Sequence, residues 1–310
     1  MKDIKGLEYV NKNSNYVSID RDRIEPFIKD ITNWNYTYWL YKEKIDLNEK
    51  EFIIFSFICQ SMNFCFWGSK DWKVEFRGNT YMGSEALFYS VLKGINMCPN
   101  FLDLENLKKI NKPKFKQFLY SNGNLPKLFS KRFKLFKETI NIICQKKDSF
   151  FEELFSARTD EEIVEYIIKN FKHFDDKSKF MGKTIHFNKR AILLTNDLFR
   201  MSKTIRNNIK SINNLTGGAD YSVPRVLQEK GILKYNDELL EIIKKEKRIK
   251  HNNQMEIEIR ANTLLALELI KERIYIKKNI NIETIELDNI IWNSRNNTKT
   301  PPHHTKTIFY

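Results

Sequence analysis

The chain contains 310 residues, of which 41% are hydrophobic and 13% aromatic. This composition excludes a disordered or collagen-like protein, because enough apolar surface is present to build a large core. The balance of 53 Lys+Arg against 39 Asp+Glu gives a net charge of +14, which suits either a polyanionic partner or a solvated lysine-rich surface. No apolar stretch is long enough to cross a bilayer and no secretory signal is visible, so we expect no membrane association and a cytoplasmic location.

The cysteines do not follow a zinc-binding or disulfide pattern. Cys59, Cys65, Cys98 and Cys144 include no Cys-x-x-Cys pair, and no histidine lies at zinc-finger spacing from any of them. We therefore expect buried free thiols and no metal site.

Most of the chain has the apolar periodicity of α-helices. Taken in chain order, the predicted helices cover residues 49–62, 84–95, 129–140, 161–171, 191–201, 225–230, 239–247 and 262–277. Ser84, Asp160 and Asn236 are the expected N-caps of three of them. The pattern predicts a mainly α fold.

Strand signals are few. Residues 72–76 alternate with a period of two and precede a turn signal at 77–79, which predicts a small β-hairpin. Residues 184–187 form a second short extended candidate. Residues 255–260 also alternate, but they lead directly into a strong helical pattern, so helix is favoured there.

Residues 1–292 are predicted to form a single helical domain, with two lobes that meet near residues 175–190 as the alternative division. The last segment, 293–310, is polar and contains Pro301-Pro302-His303-His304. It predicts a flexible C-terminal tail.

Aromatic side chains surround an amide at residues 63–67, Asn-Phe-Cys-Phe-Trp. Such rings can stack on a planar base while Asn63 presents a donor and an acceptor to the base edge. The alternative, which composition alone favours, is aromatic core packing at the end of a helix.

Lys189 and Arg190 open a predicted helix. Two cations at this end oppose the helix dipole, which makes sense if an anion binds between them and the free backbone N–H groups. The alternative is an ordinary basic pair on the surface.

Asp220 lies between the pair Gly217-Gly218 and Pro224. The glycines indicate a backbone hinge, and Pro224 suits the first turn of the next helix. By position alone, Asp220 is favoured as an N-cap of that helix, and a catalytic carboxylate is the competing interpretation.

Taken together, these segments resemble the queuosine salvage family, the queuosine 5′-phosphate N-glycosylases. The family's motifs appear in order as Asn-Phe-x-Phe-Trp at 63–67, Lys-Arg-Ala at 189–191, Ala-Asp-Tyr-x-Val-Pro at 219–224, Glu-x-Glu-Ile-Arg-Ala at 256–261 and Asp-x-x-x-Trp at 288–292. Each motif alone is weak, but five in register across nearly all of the chain are specific.

The resemblance implies a mainly α-helical, DNA-glycosylase-like fold with a helix-hairpin-helix element, in which the helix at 225–230 ends at Gly231. It implies an N-glycosylase that hydrolyses queuosine 5′-monophosphate and releases queuine for salvage into tRNA modification. No metal, no cofactor and no nucleic acid are required. By motif position, Asp220 is the catalytic carboxylate and Lys189 contacts the 5′-phosphate. The other implied substrate-binding residues are Asn63, Phe64, Trp67, Tyr221, Glu258 and Arg260.

Two questions stay open at this level. Gly217-Gly218 replaces the family's usual Met-Phe, and Ile192 replaces its Gln, so a related deazapurine base is an alternative to queuine. The hairpin and the charge of +14 also allow a DNA or RNA glycosylase, or a non-catalytic nucleic-acid-binding helical protein. A purely structural helical interaction protein is the third interpretation.

Overall fold

The structure, a computed structural model, describes residues 3–31, 38, 40, 46–68, 72–98 and 100–310. Within these ranges the chain forms fifteen α-helices. They are α1 (Ile4–Lys12), α2 (Ile24–Asp30), α3 (Glu49–Met62), α4 (Gly83–Met97), α5 (Leu104–Lys109), α6 (Lys112–Leu119), α7 (Phe129–Lys146), α8 (Asp148–Ser156), α9 (Asp160–Asn170), α10 (Lys189–Met201), α11 (Lys203–Asn208), α12 (Val223–Glu229), α13 (Asp237–Lys244), α14 (Gln254–Lys278) and α15 (Thr284–Asn293). The predicted mainly α class is confirmed.

The strands of the described residues pair as three separate antiparallel ribbons. They are β1 (Val17–Ile19) with β6 (Leu233–Tyr235), β2 (Lys73–Phe76) with β3 (Asn79–Met82), and β4 (Lys177–Phe180) with β5 (Lys183–His186). The predicted hairpin is the β2–β3 ribbon, and the second extended segment is β5. The β1–β6 pairing joins two segments that lie far apart in sequence, and neither strand was predicted.

Local chemistry explains most helix boundaries. α3 covers the residues that the apolar spacing predicts. Its start is fixed by a reciprocal capping box between Asn48 and Glu51. Asn236 caps α13 as expected. Asp160 was the expected cap of α9, but Thr159 takes that role and the Asp160 carboxylate instead accepts two hydrogen bonds from Asn214.

The alternating segment at 255–260 is helical, as favoured, and belongs to α14. Pro224 lies in the first turn of α12, as expected. Gly231, with φ +75, follows α12, but β6 separates it from α13. The chain order is therefore helix, glycine, short strand, helix, and a helix-hairpin-helix element remains a prediction.

Buried apolar side chains form two large clusters. The first is built mainly by α3, α4, α7, α9 and α10. The second is built mainly by α1, α2, α12, α13, α14 and α15. The division into one domain or two lobes remains a prediction. Among the described residues, no helix combines the length and the apolar character needed to cross a bilayer.

The C-terminal residues are packed into the protein, which corrects the expectation of a flexible tail over 293–310. Tyr310 is fully buried, and its hydroxyl donates to Glu256 Oε1 at 2.9 Å. Its main-chain oxygen accepts the N–H of Cys65 at 2.7 Å. Polar composition suggested a loose segment, but specific hydrogen bonds offset the cost of burying these polar groups.

We expect Tyr310→Ala to lower the free energy of unfolding by about 3–5 kcal/mol, because it removes a buried ring and leaves Glu256 without one donor. Chemical denaturation measures this. Lys306→Ala, at an exposed position of the same segment, is the control and should change stability by less than about 0.5 kcal/mol. Equal stability of both variants would show that the segment is not docked.

Candidate active site

A buried arginine on α14 joins the two segments that carry the predicted catalytic and phosphate-binding residues. The Arg260 guanidinium donates to Asp176 Oδ1 at 3.0 Å and Oδ2 at 2.5 Å. Its Nε donates to the carbonyl oxygen of Ala219 at 2.9 Å. The main-chain oxygen of Asp176 in turn accepts the N–H groups of Phe187 and Asn188 at 2.8 and 3.0 Å. One side chain therefore fixes both the loop before α12 and the start of α10.

Arg260 stays positively charged although it is buried. Burial lowers the pKa of Arg260, but the charge and the hydrogen bonds of Asp176 outweigh burial, so the pKa is raised. Its guanidinium carbon also lies 4.0 Å from the Phe187 ring centroid and 4.3 Å from that of Tyr310. A paired, sandwiched guanidinium of this kind is a rigid anchor.

The anchored segments bring Lys189 and Asp220 together. Lys189 Nζ lies 3.9 Å from Asp220 Oδ2, and each side chain is 8% exposed. Asp220 Oδ1 accepts the N–H groups of Ser222 at 2.6 Å and Val223 at 3.2 Å. The N-cap of α12 is Ser222, so the interpretation of Asp220 as the N-cap is wrong. Asp220 lies two residues earlier, where Oδ1 supports the turn into α12 and Oδ2 faces a cation.

A second carboxyl group, Asp288 of α15, belongs to the same cluster. It is 5% exposed, and its Oδ1 has no hydrogen-bond partner among the described residues. A Cβ added at Gly217 would lie 2.8 Å from Asp288 Oδ1, and one added at Gly218 would lie 3.6 Å from Oδ2 and 3.4 Å from Lys189 Cγ. Gly217 therefore leaves room for Asp288 and for Leu267, whose Cδ1 would clash with an added Cβ, whereas a Cβ at Gly218 would make ordinary van der Waals contacts.

The charges of the cluster act on one another in a water-poor environment. Burial lowers the pKa of Lys189, and the negative charges of Asp220 and Asp288 only partly oppose it. Burial, together with the charge of Asp220, raises the pKa of Asp288 to about 7. One cation thus faces two carboxyl groups, one of which changes its protonation near neutral pH.

Two buried arginines bind main-chain carbonyl oxygens in the last turn of α3 and just after it. Arg132 of α7 donates to the carbonyl oxygens of Met62 and Phe64. Arg190 donates to the carbonyl oxygens of residues 60 and 61 at 3.1 and 2.6 Å. Arg190 is 1% exposed, so the alternative of a basic pair on the surface does not apply. These bonds satisfy the free carbonyls at the C-terminus of α3 and tie that end to the start of α10.

Asn63 ends a buried chain of hydrogen bonds. Its Nδ2 donates to Gln60 Oε1 at 2.9 Å, and Gln60 Nε2 donates to Asp197 Oδ2 at 2.7 Å. Tyr38 donates its hydroxyl proton to Asp197 Oδ1 at 2.7 Å. Burial raises the pKa of Asp197 to about 7, although both hydrogen bonds oppose the rise. These hydrogen bonds orient the Asn63 amide so that its Nδ2 faces Gln60. Its Oδ1 is therefore the atom left to accept a hydrogen bond.

The aromatic side chains of 63–67 pack against protein groups. Phe64 is fully buried, with the Arg132 guanidinium 4.5 Å from its ring centroid. Trp67 stacks on His304 at 4.4 Å, and its Nε1 donates to the carbonyl oxygen of Thr305 at 2.8 Å. Core packing therefore accounts for both rings, and a role as a base platform remains a prediction.

Tyr221 connects this aromatic segment to the charged cluster. It packs against the small group formed by Phe64, Cys65, Trp67 and Leu135. Burial raises the pKa of Tyr221, and the adjacent charge of Asp220 raises it further, so the phenol stays protonated. The residue that follows Asp220 thus contacts the segment that was predicted to bind the base.

Glu258 lies elsewhere. Its carboxylate accepts the N–H groups of Asn15, Tyr16 and Val17 at 2.7–3.1 Å, together with Gln254 Nε2 at 2.8 Å. These bonds attach β1 to α14, which explains an acidic side chain at a buried position. Arg260, also predicted to bind substrate, contacts the Asp220 loop through the Ala219 carbonyl.

Sequence reasoning missed Asp176 and the involvement of Asp288. Asp288 stands in the last recognised motif, so its position carried a signal, but nothing in the spacing placed it beside Lys189. Asp176 lies 84 residues from Arg260 in sequence and no pattern marked it. Among the described residues, no group of three or more His, Cys, Asp or Glu side chains is arranged to hold a metal ion.

We expect Arg260→Lys to lower the free energy of unfolding by about 3–5 kcal/mol, because a lysine cannot bind Asp176 with two hydrogen bonds and reach the Ala219 carbonyl as well. Arg273→Lys, on the same helix at a half-exposed ion pair with Glu25, is the matched control and should cost less than about 1 kcal/mol. Urea unfolding compares the two variants, and similar losses would argue against the anchoring role.

Comparisons with known proteins show which family the chain resembles. Residues 41–310 match a family model described as queuosine salvage protein. A relative from Sphaerobacter thermophilus is 27% identical over 82% of this chain and 80% of its own length, and one from Bos taurus is 29% identical over the same shares. A relative from Mus musculus is 26% identical over 99% of this chain and 98% of its own length. All three are named queuosine 5′-phosphate N-glycosylase/hydrolase. With 270 of its 310 residues matched, the chain belongs to the queuosine salvage protein family.

Proposed function

We propose that this protein is an N-glycosylase that hydrolyses queuosine 5′-phosphate and releases queuine for salvage into tRNA modification. The observation that carries the proposal is the buried pair of Asp220 and Lys189, whose charged atoms lie 3.9 Å apart in two of the segments that resemble the family. The names of the relatives support the substrate and the reaction.

Asp220 suits the role of catalytic carboxylate. As the base leaves, the ribose acquires oxocarbenium character, and a fixed carboxylate near the anomeric carbon stabilises that charge. Backbone N–H groups hold Oδ1, so Oδ2 is the oxygen that faces the reacting sugar. The same oxygen can accept a proton from the attacking water.

Lys189 suits the role of phosphate ligand. Its side chain comes from the first residue of α10, and helix N-termini favour anions. In the free protein its ammonium group faces Asp220, so a sugar phosphate that reaches both groups is bound at its two ends. Binding energy at the phosphate then positions the sugar against the carboxylate.

The residues around Asn63 suit the base. The Asn63 amide is oriented by Gln60, so its Oδ1 can accept an N–H from the edge of a guanine-like deazapurine. We propose that Phe64, Trp67 and Tyr221 form the adjacent wall, since Tyr221 packs against the small cluster that contains the other two. For Glu258 and Arg260, the contacts favour holding the backbone over touching the substrate.

We also propose a DNA-glycosylase-like fold, a small-nucleotide substrate and a cytoplasmic location. The helical class is compatible with a DNA-glycosylase-like fold with a helix-hairpin-helix element, and the substrate is a small nucleotide, so no nucleic acid is required. Cys59, Cys65 and Cys144 are free thiols, and the first two are buried. Free thiols are typical of a reducing compartment such as the cytoplasm.

We expect Asp220→Asn to lower kcat for queuine release from queuosine 5′-phosphate by about 10²–10⁴-fold, because the amide cannot stabilise the cation or accept the proton. The variant should fold, since the amide oxygen can still accept the N–H groups of Ser222 and Val223. Asp30→Asn, at an exposed carboxylate, should retain full activity. A folded Asp220→Asn protein with near-normal kcat would exclude the assignment.

Lys189→Met should reduce kcat/KM for queuosine 5′-phosphate about 10–100 times more than kcat/KM for queuosine, because only the nucleotide loses a charged hydrogen bond. The ratio of the two substrates cancels any loss of folded protein. Lys179→Met, at an exposed position on β4, should leave the ratio unchanged. Equal losses on both substrates would place the phosphate elsewhere, and equal release from guanosine monophosphate by the wild type would end the queuosine assignment.

A further inference from the structure

The proposed hydrolysis assigns no role to Asp288. It is a carboxyl group within the charged cluster, 5% exposed, and its Oδ1 has no hydrogen-bond partner among the described residues. The close approach depends on glycine, because a Cβ at Gly217 would lie 2.8 Å from this oxygen. A buried, unpaired carboxylate oxygen is costly, whereas a protonated carboxyl group carries no charge to desolvate.

We propose that Asp288 is a positioning residue that takes up a proton when a phosphate ester binds at Lys189, so that substrate binding is coupled to pH. The inference rests on the proposed function, because it takes Lys189 as the phosphate ligand. The proton comes from solvent or buffer and forms an O–H bond on the Asp288 carboxylate, and no other bond changes.

The charge balance of the cluster supports this coupling. In the free protein the ammonium group of Lys189 faces two carboxyl groups, Asp220 and Asp288, and the charges of Arg260 and Arg190 act on it more weakly. A phosphate dianion brings further negative charge to the same ammonium group. In a poorly hydrated environment this third anionic group is repelled by both carboxylates, and protonation of one of them relieves the repulsion.

Asp288 is the group best suited to accept that proton. Asp220 accepts two backbone N–H groups on Oδ1, whereas Asp288 accepts one backbone hydrogen bond, from Gly218, and its Oδ1 has no partner among the described residues. Burial and the charge of Asp220 already raise the pKa of Asp288 to about 7. An added anion at Lys189 shifts this pKa further upward, so a carboxylate that is largely ionised at pH 7.5 becomes protonated.

The other charged groups near α15 have partners of their own. On α14, Glu268 accepts a hydrogen bond from the Thr284 hydroxyl at 2.8 Å. In the turn after α15, Arg295 pairs with Glu85 at 3.1 Å, and on α12 Arg225 donates to the Arg295 carbonyl at 3.0 Å. Lys189 of α10 and Asp220, before α12, are the charges that act on Asp288.

Isothermal titration with ribose 5-phosphate, a product that cannot be hydrolysed further, tests the proposal directly. At pH 7.5, titrations in two buffers of different ionisation enthalpy should give an uptake of about 0.5–0.8 proton per site, as for a group whose pKa rises from near 7. The ligand's own phosphate ionises near pH 6 and can only release protons on binding to a cation. Wild-type affinity should also weaken as pH rises from 6.5 to 8.5, whereas free ribose should show no such trend.

Asp288→Asn is the decisive variant, because its amide mimics the neutral acid. It should show almost no proton uptake and a flat affinity up to pH 8.5, while Asp30→Asn should match the wild type. Uptake that persists in Asp288→Asn would assign the proton to Lys189 and overturn the proposal, as would wild-type binding without uptake. If the variant does not fold, wild-type binding without uptake still overturns the proposal. Failure of ribose 5-phosphate to bind at all would overturn the phosphate site itself, whereas binding without uptake leaves the hydrolase intact.

Discussion

The interaction between Arg260 and Asp176 is the constraint on which the site depends. The guanidinium holds the Asp176 carboxylate with two hydrogen bonds and the Ala219 carbonyl with a third. The main chain of Asp176 then fixes the residues that precede Lys189. A buried ion pair of this kind contributes little net stability compared with apolar packing, but it fixes relative positions, since removal of either partner leaves an unpaired buried charge.

A site with several buried charges requires such a frame. Lys189, Asp220 and Asp288 lie together with little solvent, and their mutual arrangement sets which of them are ionised. Arg132 and Arg190 perform a comparable structural task at the end of α3, where they bind carbonyl oxygens that the helix leaves free. In both places a buried charged side chain fixes the backbone through hydrogen bonds. That backbone carries the residues proposed to contact the substrate.

Much of the helical framework followed from the sequence because its determinants are local. The limits of α3 follow from its apolar run and its capping box, and the hairpin of β2 and β3 follows from alternation and a turn signal. Long-range partners left no such signal: β1 pairs with β6, and Arg260 pairs with Asp176 across 84 residues. The C-terminal residues were predicted to form a tail because their composition is polar. Composition does not reveal specific hydrogen bonds such as the one that the buried Tyr310 hydroxyl donates.

The site was predictable to the extent that it lies within short motifs. Asp220 and Lys189 were identified as separate residues, and the structure brings them together. Glu258 belongs to the same motif as Arg260, yet neighbouring helical positions face different surroundings, so it binds the backbone of residues 15–17 instead. Asp288 could not be placed, because its approach depends on the absence of a side chain at Gly217.

The most direct test of the central claim is a crystal structure of the Asp220→Asn protein with intact queuosine 5′-phosphate bound. We expect the anomeric carbon to lie about 3.5 Å from the side chain of residue 220, with the phosphate against the Lys189 ammonium group. A nucleotide bound with its sugar remote from residue 220, or with its phosphate at a different cation, would contradict it.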